Sequence, residues 1–562
     1  MNDPNGNAGR IERIIERRPR LLLVLICLLA WLPGFFTIPP LDRDESRFAQ
    51  ASKQMLETGN FVDIRFGKEP RYKKPAGIYW LQAATTRLAG FATNGALDRI
   101  WTYRIPSLLG ALVAVLLCFW CARAILGVQA SFLAAVLLAL TFLLSSEARI
   151  AKTDAVLLAS VVGTQAVLFR TYLSRFGGFP APGFGLVLLG WLALAVGILI
   201  KGPVIVGVAG ITVVALVVWD REWRWLGRLR PLWGLGLSLL IVAPWLVAIA
   251  IMSHGTFYEQ SLGHDFGAKL AHGEEGHGMY PGYYLLLTTL TFWPATLFLA
   301  PGVAAAIANR GQPGARFLLA WAGGWWLIEL VPTKLPNYIL PSYPALAIMA
   351  AAWLAAPGES NLPAWRRLMP AVSSAQFLAG GLATAAAIPV LPRLYGPGTT
   401  WAQAGCATLL AVLCAIAVLA LLRKSGRLAL FLAAGAAIGA YASATLLVLP
   451  NLDNLMVSSR EAALVAKHER ASDPPPTLAG YTEPSALFLI GTATQLTDGR
   501  GAAETGARRG GLALVADGER PAFLARLAEL EADATAVDDL SGFNYSRGRK
   551  VHITVYRVTP AR

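Results

Sequence analysis

Apolar residues run in long blocks along most of this chain, rather than alternating. The first block, LLLVLICLLAWLPGFFTI over 21–38, is long enough to enter a bilayer, where about 20 largely apolar residues make a span. The same reading predicts spans near 21–38, 104–124, 129–146, 155–173, 184–200, 203–219, 232–252, 283–308, 317–332, 338–355, 369–391, 402–422 and 428–449. That makes about thirteen transmembrane helices. Between the first two spans, Asp44 to Glu57 places Phe48, Ala51, Ser52 and Met55 at helical spacing, so the outward loop 39–103 holds an amphipathic helix. Asp42 reads as a cap for that helix and Gly59 as its stop.

After 450 the pattern changes. PPP at 474–476 marks a boundary, TLAGY and GGLALVA read as short buried strands, and ERPAFLARLAELEA has helical spacing. KVHITVYRV alternates as a strand does. The expected organisation is a transmembrane domain over 1–450 and a small α/β domain over 451–562.

Composition supports a membrane protein: of 562 residues 55% are hydrophobic and 15% charged, with 17 Trp. A net charge of +15 would suit nucleic acid, but its distribution points to topology instead. The N-terminal tail carries Arg10, Arg13, Arg17, Arg18 and Arg20. Alternate loops carry Arg123, then Arg170 and Arg175, then Arg221, Arg224, Arg228 and Arg230, then Arg310 and Arg316, then Arg366 and Arg367, then Arg423, Lys424 and Arg427. The other short loops are nearly bare, so the N-terminus is expected in the cytoplasm and, after an odd number of spans, the C-terminus in the periplasm. All five Cys lie in apolar runs, which predicts no disulfide framework.

The chemistry-bearing residues gather on the outward face. The stretch PPLDRDESRFAQ brings Asp44, Glu45 and Arg47 just past the first span. RFGKEPRYKKPAGIYWLQAA adds Lys68, Arg71, Lys73 and Lys74 before an aromatic stretch; these suit a phosphate site or the head groups of anionic lipids. Asp154 stands at the mouth of a span, where an ionisable group serves a site or pairs, here with Lys152. Lys201 in ILIKGPVIV either snorkels or faces a ligand. VPTKLPNYILPSYPALAI presents Lys334, Tyr338 and Tyr343 between prolines. The loop 253–282 holds four of the six His; HGEEGH has H-x4-H spacing rather than the helical zinc pattern, and His264 and His277 are the candidate metal ligands there. No Walker motif and no G-x-G-x-x-G after a strand occurs, so a nucleotide donor is not expected.

In this order, DESRFAQ, KPAGIYW, Asp154, LIKGP and PTKLPNYILPSYPALAI resemble the GT-C glycosyltransferases, most nearly the bacterial 4-amino-4-deoxy-L-arabinose lipid A transferases and their relatives the protein O-mannosyltransferases. The likeness covers about residues 20–355. Those aminoarabinose transferases often have Glu-Lys-Pro where this chain has Lys73-Lys74-Pro75, and often Arg where it has Lys269. The resemblance implies a GT-C fold in the bacterial inner membrane. It implies a pentosyltransferase that takes its sugar from undecaprenyl phosphate and places it on lipid A phosphates, conferring resistance to polymyxin-like peptides. It also implies roles. Arg47, Lys74, Lys201, Lys269, Lys334, Tyr338 and Tyr343 would bind the donor phosphate. Asp44 is the first catalytic candidate, followed by Asp154 and Glu45. No cofactor is required on this reading, a divalent ion being the one left open, and the partners are the lipid-linked sugar, lipid A and membrane lipids, without nucleic acid. The competing readings are another polyprenyl-phosphate-sugar transferase and, from a different class, a polyprenyl-lipid transporter, for which paired repeats would be expected.

Overall fold

The structure, a computed structural model, describes residues 12–41, 43–261, 263, 279–356 and 364–561, the side chains of 364–367 excepted. Each of the thirteen expected spans coincides with helix, but not all are full-length. Among the described residues eight helices are long and apolar enough to cross a membrane: Ile100–Ala122, Asp154–Phe176, Phe184–Lys201, Pro231–Met252, Pro336–Ala355, Leu368–Tyr395, Trp401–Leu422 and Gly426–Asn451. A ninth is counted if Tyr283–Thr291 and Ala295–Ala308, bent by 114°, form one broken span. The other expected spans fall on shorter helices, Pro19–Trp31, Val128–Ala139, Val204–Asp220 and Pro313–Trp325. Twelve to seventeen residues rise only about 18–26 Å, and apolar length in the sequence does not show where the chain leaves the helix. After Trp31, for example, it turns at Gly34, whose φ is 76°.

Polar side chains inside the apolar bundle find one another. Asp154–Phe176 is the innermost span, with 83% of its most apolar stretch buried, against 22% for Pro231–Met252. Gln165 on that central helix donates to Thr212 Oγ1 at 2.8 Å, the kind of interhelical hydrogen bond that replaces the missing water. Small residues set the closest approaches. A Cβ on Gly110 would lie 2.8 Å from the Val156 Cα, and one on Gly77 would lie 2.7 Å from the Leu199 carbonyl oxygen. The second contact seats the helix Gly77–Ala89 against the end of Phe184–Lys201 and so carries Lys73-Lys74-Pro75 to Lys201.

The amphipathic helix of the first outward loop is present as Arg43–Thr58, with Phe48, Ala51, Ser52 and Met55 buried as their spacing predicts. Asp42 lies outside the described residues. Gly59 follows the helix at φ 71°. Strands β1 (Arg65–Phe66) and β2 (Glu69–Pro70) form a small hairpin beyond it.

The C-terminal region holds a five-stranded sheet of β3 (Thr477–Ala479), β4 (Gln495–Thr497), β5 (Gly511–Ala516), β6 (Asp533–Asn544) and β7 (Arg549–Thr559), in the order β4-β3-β5-β7-β6. β3 runs parallel to β4 and β5, while β7 is antiparallel to β5 and β6. The sheet region is fastened to the first outward loop. Phe488 packs with Ala49, Ile100, Tyr103 and Ala151, Gln50 donates to Thr492 Oγ1 at 2.7 Å, and Arg43 pairs with Glu483 at 3.0 Å.

Inside this region Glu461 is fully buried, and neither carboxylate oxygen has a partner among the described residues. Burial, and after it the neighbouring Glu483, pushes the Glu461 carboxyl well above the usual range. A carboxyl with a raised folded-state pKa leaves stability intact below its unfolded value, near pH 4.3, and withdraws it as pH climbs through the folded value. Glu461→Gln should therefore raise the melting temperature of the detergent-purified protein at pH 8 more than at pH 5. Equal shifts at both values would show that Glu461 is not held neutral.

Candidate active site

Three segments converge where the helix Phe184–Lys201 ends. Lys201 closes that helix, Asp154 opens the central span, and Asn337 lies in the 3-10 turn Pro336–Ser342. Asp154 Oδ1 accepts from Lys201 Nζ at 2.5 Å and from Asn337 Nδ2 at 2.7 Å. The Lys201 ammonium also stands 5.3 Å from the Tyr338 ring centroid, where a ring face attracts a cation. Asp154 is 3% exposed, so these partners offset the cost of removing its charge from water. The partner expected from sequence was Lys152. It does lie close enough to act on Asp154 electrostatically, but Lys201 and Asn337 make the hydrogen bonds.

This cluster is one end of a cavity of about 590 Å³. Lys73, Lys74, Asp154, Lys201, Asn337 and Tyr338 line the polar end, while Leu157, Leu199, Ile211, Val242, Trp245 and Phe257 form apolar walls. A cation-rich mouth over a long apolar slot fits an amphiphile with an anionic head.

Asp44 sits at the start of the surface helix, its side chain 45% exposed, and accepts from Arg47 Nη1 at 3.2 Å. Burial raises its carboxyl, but Lys152, Arg71 and Arg47 together outweigh that and hold it below the usual carboxylate range. Lys152 therefore acts on both acids, Asp44 and Asp154, and links the two halves of the face.

Neither Asp44 nor its partner Arg47 lines the cavity, and three further candidates are also placed away from it. Glu45 is 1% exposed and forms a two-pronged pair with Arg104, Nε to Oε1 at 2.7 Å and Nη2 to Oε2 at 3.1 Å. Its Oε1 also accepts the Ala151 N–H at 3.0 Å, so it acts as a fastener between segments and does not line the cavity. Lys334 is 2% exposed, and its ammonium donates to the Glu329 and Val331 carbonyls at 2.6 and 2.7 Å. Tyr343 is buried, sharing a 2.6 Å hydrogen bond with Thr291. Neither Lys334 nor Tyr343 lines the cavity. Lys269, His264 and His277 lie outside the described residues. Among the described residues no three His, Cys, Asp or Glu side chains come together to hold a metal ion.

Asn337 was missed as a site residue. Its signal was an amide between Pro336 and Tyr338 in an outward segment with broken helix ends, weaker than the charges around it.

The family description "Dolichyl-phosphate-mannose-protein mannosyltransferase" matches residues 34–255. Two undecaprenyl phosphate-alpha-4-amino-4-deoxy-L-arabinose arabinosyl transferases are similar in sequence. That of Edwardsiella ictaluri is 29% identical over 340 residues, 59% of this chain and 58% of that protein. That of Pectobacterium carotovorum is 27% identical over 417 residues, 68% of each. The match thus covers less than two thirds of the Edwardsiella protein's length. The crystal structure of ArnT from Cupriavidus metallidurans bound to undecaprenyl phosphate superposes with a TM-score of 0.72 at 19% identity, over 95% of this chain and 97% of that one. The apo state of the same protein gives 0.70. The chain thus shares the GT-C fold of that structure. It is a multi-pass membrane protein, and within this GT-C fold the matched segment 34–255 holds Asp44, Lys74, Asp154 and Lys201.

The Glu45 and Asp44 placements predict opposite outcomes for neighbouring carboxylates. Glu45→Ala leaves Arg104 buried without its counter-charge and should cost about 3–5 kcal/mol of stability. Asp44→Asn, at a half-open position, should melt within a degree or two of the parent, because such exposed pairs contribute only about 0–1 kcal/mol. Thermal unfolding of both variants in detergent checks this. A Glu45→Ala protein as stable as the parent would remove the fastening role.

Proposed function

We propose that this protein transfers 4-amino-4-deoxy-L-arabinose from undecaprenyl phosphate to the phosphate groups of lipid A at the periplasmic face of a bacterial inner membrane. The observation that carries the reading is the cavity, whose apolar walls lead to Lys73, Lys74 and Lys201. A polyprenyl tail suits the walls and its phosphate suits the cations. The similar proteins named as arabinosyl transferases of undecaprenyl phosphate supply the sugar and donor. The orientation rests on the arginine asymmetry, with the N-terminus cytoplasmic and the C-terminal sheet periplasmic.

In the proposed reaction an oxygen of the acceptor phosphate bonds to the sugar's anomeric carbon, and the bond from that carbon to the donor phosphate breaks. The electron pair leaves with the polyprenyl phosphate, whose added negative charge meets Lys74 and Lys201. Donors aimed at charge that grows in the transition state are each worth about 3–4 kcal/mol. The acceptor phosphate is already an anion, so no strong base is required. Asp44, held ionised by its neighbours, is a poor proton acceptor and suits orientation, either of the acceptor through the surrounding cations or of the sugar's ammonium. Masking lipid A phosphates with an amino sugar lowers the negative charge that polymyxin-like peptides bind. The reading calls for no cofactor. His264 and His277 stay the candidates for a divalent ion, and chelation during the assay tests that requirement directly.

Lys74→Ala and Asp44→Asn should each lower transfer by about 100-fold, read as pentosamine added to lipid A by mass spectrometry with purified protein in detergent. Full activity in both variants would overturn the assignment. A hexose product, or a protein acceptor, would favour the mannosyltransferase-like alternative suggested by the match over 34–255. Transfer in detergent, with no membrane to cross, excludes transport as the sole activity. Because Asp44 stays charged, its contribution to the rate should be flat from about pH 6 to 8. A titration step in that window that disappears in Asp44→Asn would make it a general base instead.

A further inference from the structure

The helix Phe184–Lys201 has a second cavity at its other end. This one is about 260 Å³ and is lined by Phe184, Val187, Arg224, Arg228 and Arg230 among others. Eighteen residues of helix rise about 27 Å, close to the hydrocarbon thickness of a bilayer. The two cavities therefore open toward opposite membrane faces.

The cations at this far end outnumber the acids. The stretch 220–230 contains four Arg and two acids. Both acids are engaged by other groups: Asp220 accepts from the Tyr172 hydroxyl at 2.6 Å and pairs with Arg316, while Glu222 pairs with Arg175 at 3.3 Å and accepts the Arg224 backbone N–H at 2.9 Å. Arg228 Nη1 donates to Ser174 Oγ at 2.7 Å. Among the described residues no carboxylate stands within ion-pair distance of Arg224, Arg228 or Arg230.

Two further observations separate this pocket from an ordinary basic loop. Arg221 and Arg230 hold left-handed backbone, at φ 53° and 50°, a conformation that glycine adopts without cost and arginine does not. The turn geometry thus keeps an arginine where glycine would fit better. Around it, Trp219, Trp223 and Trp233 are 45%, 66% and 68% exposed, and Phe184 meets Trp233 edge to face at 6.0 Å. Exposed indoles mark head-group depth.

We propose that this pocket binds the phosphate head group of an anionic phospholipid on the membrane face opposite the active-site cavity. Planar guanidinium groups match phosphate oxygens two at a time, and the half-exposed Phe184 supplies apolar surface for the first part of an acyl chain. Basic pockets between membrane helices recognise anionic head groups in this way. The shared chemistry with free phosphate is separated by the test. The neighbouring lipid-facing side chains, Leu189 at 59% and Leu232 at 85% exposure, favour the lipid.

The test is native mass spectrometry on the full-length protein in detergent, titrated with cardiolipin, phosphatidylglycerol and phosphatidylcholine. The variant Arg224→Gln/Arg228→Gln/Arg230→Gln should bind cardiolipin and phosphatidylglycerol at least about ten-fold more weakly than the parent. A control, Arg423→Gln/Lys424→Gln/Arg427→Gln, removes as many cations from the same membrane face and should bind like the parent. Phosphatidylcholine should not distinguish the three. The single variants Arg224→Gln and Arg228→Gln, at positions without left-handed backbone, should give graded losses even if the triple variant does not fold. Equal losses in the test and control variants would reduce the arginines to a topology signal and overturn the site. Millimolar inorganic phosphate that displaces the anionic lipids, or binds with the same arginine dependence when they do not, would assign the pocket to a soluble phosphate and overturn the lipid.

Discussion

Arg104 lies near the start of the long helix Ile100–Ala122, 2% exposed, and a guanidinium cannot shed its charge to escape burial. It must be fully hydrogen-bonded, and the way this is done determines the outward face. Its nitrogens reach the carbonyls of Phe35, Ile38 and Pro39 and both oxygens of Glu45. Glu45 in turn takes the Ala151 N–H. One buried ion pair thus fixes the exit of the first helix, the start of the surface helix, the second span and the second outward loop. Asp44 is the residue before Glu45, and Lys152 the residue after Ala151. The placement of those two side chains follows from a pair that does no chemistry itself.

The cavity obeys the same rule in a looser form. Asp154 is buried beside an apolar slot, so it requires cations and amides, and Lys201 and Asn337 arrive from two other segments to supply them. The close approach at Gly77, which a Cβ would block against the Leu199 carbonyl, brings Lys73 and Lys74 to the same end. The result is a mouth lined by Lys73, Lys74 and Lys201 with apolar walls behind, a combination that suits an anionic amphiphile.

How much of this was legible in the sequence depended on which signal each residue left. Apolar blocks located the eight long helices found among the described residues, and the 48, 51, 52, 55 spacing located the surface helix and its buried face. Alternation and strand composition located β3, β5 and β7. β6 was missed because DATAVDDLSGFN carries acids through a long edge strand, and β4 because three residues leave no period. Asp44, Lys74, Asp154 and Lys201 stood out as charges where charge is expensive. Charge alone, however, does not tell a ligand from a fastener. Glu45 and Lys334 carried the same signal as Asp44 and Lys201, yet their partners are Arg104 and backbone carbonyls, contacts between segments that sequence spacing does not encode. Asn337 was quiet for the opposite reason: an amide draws no attention until its partner, Asp154, is seen 183 positions away in the chain.

The two acids of the face divide the work by their surroundings. Asp154 has Lys201 and Asn337 on one oxygen and is almost wholly enclosed, so approaching it as a proton acceptor would mean breaking a buried pair. Its effect is instead to hold Lys201 at the cavity mouth in a fixed pose, over the Tyr338 ring. Asp44 is half open; Arg47 pairs with it, and Lys152 and Arg71 add to the positive field around it. It can exchange a partner for a substrate without stranding a buried charge. In the proposed transfer two anionic head groups meet while one leaves, which calls for cations that stay in place and one carboxylate able to change partner. Under that proposal Asp154 would serve the first requirement and Asp44 the second.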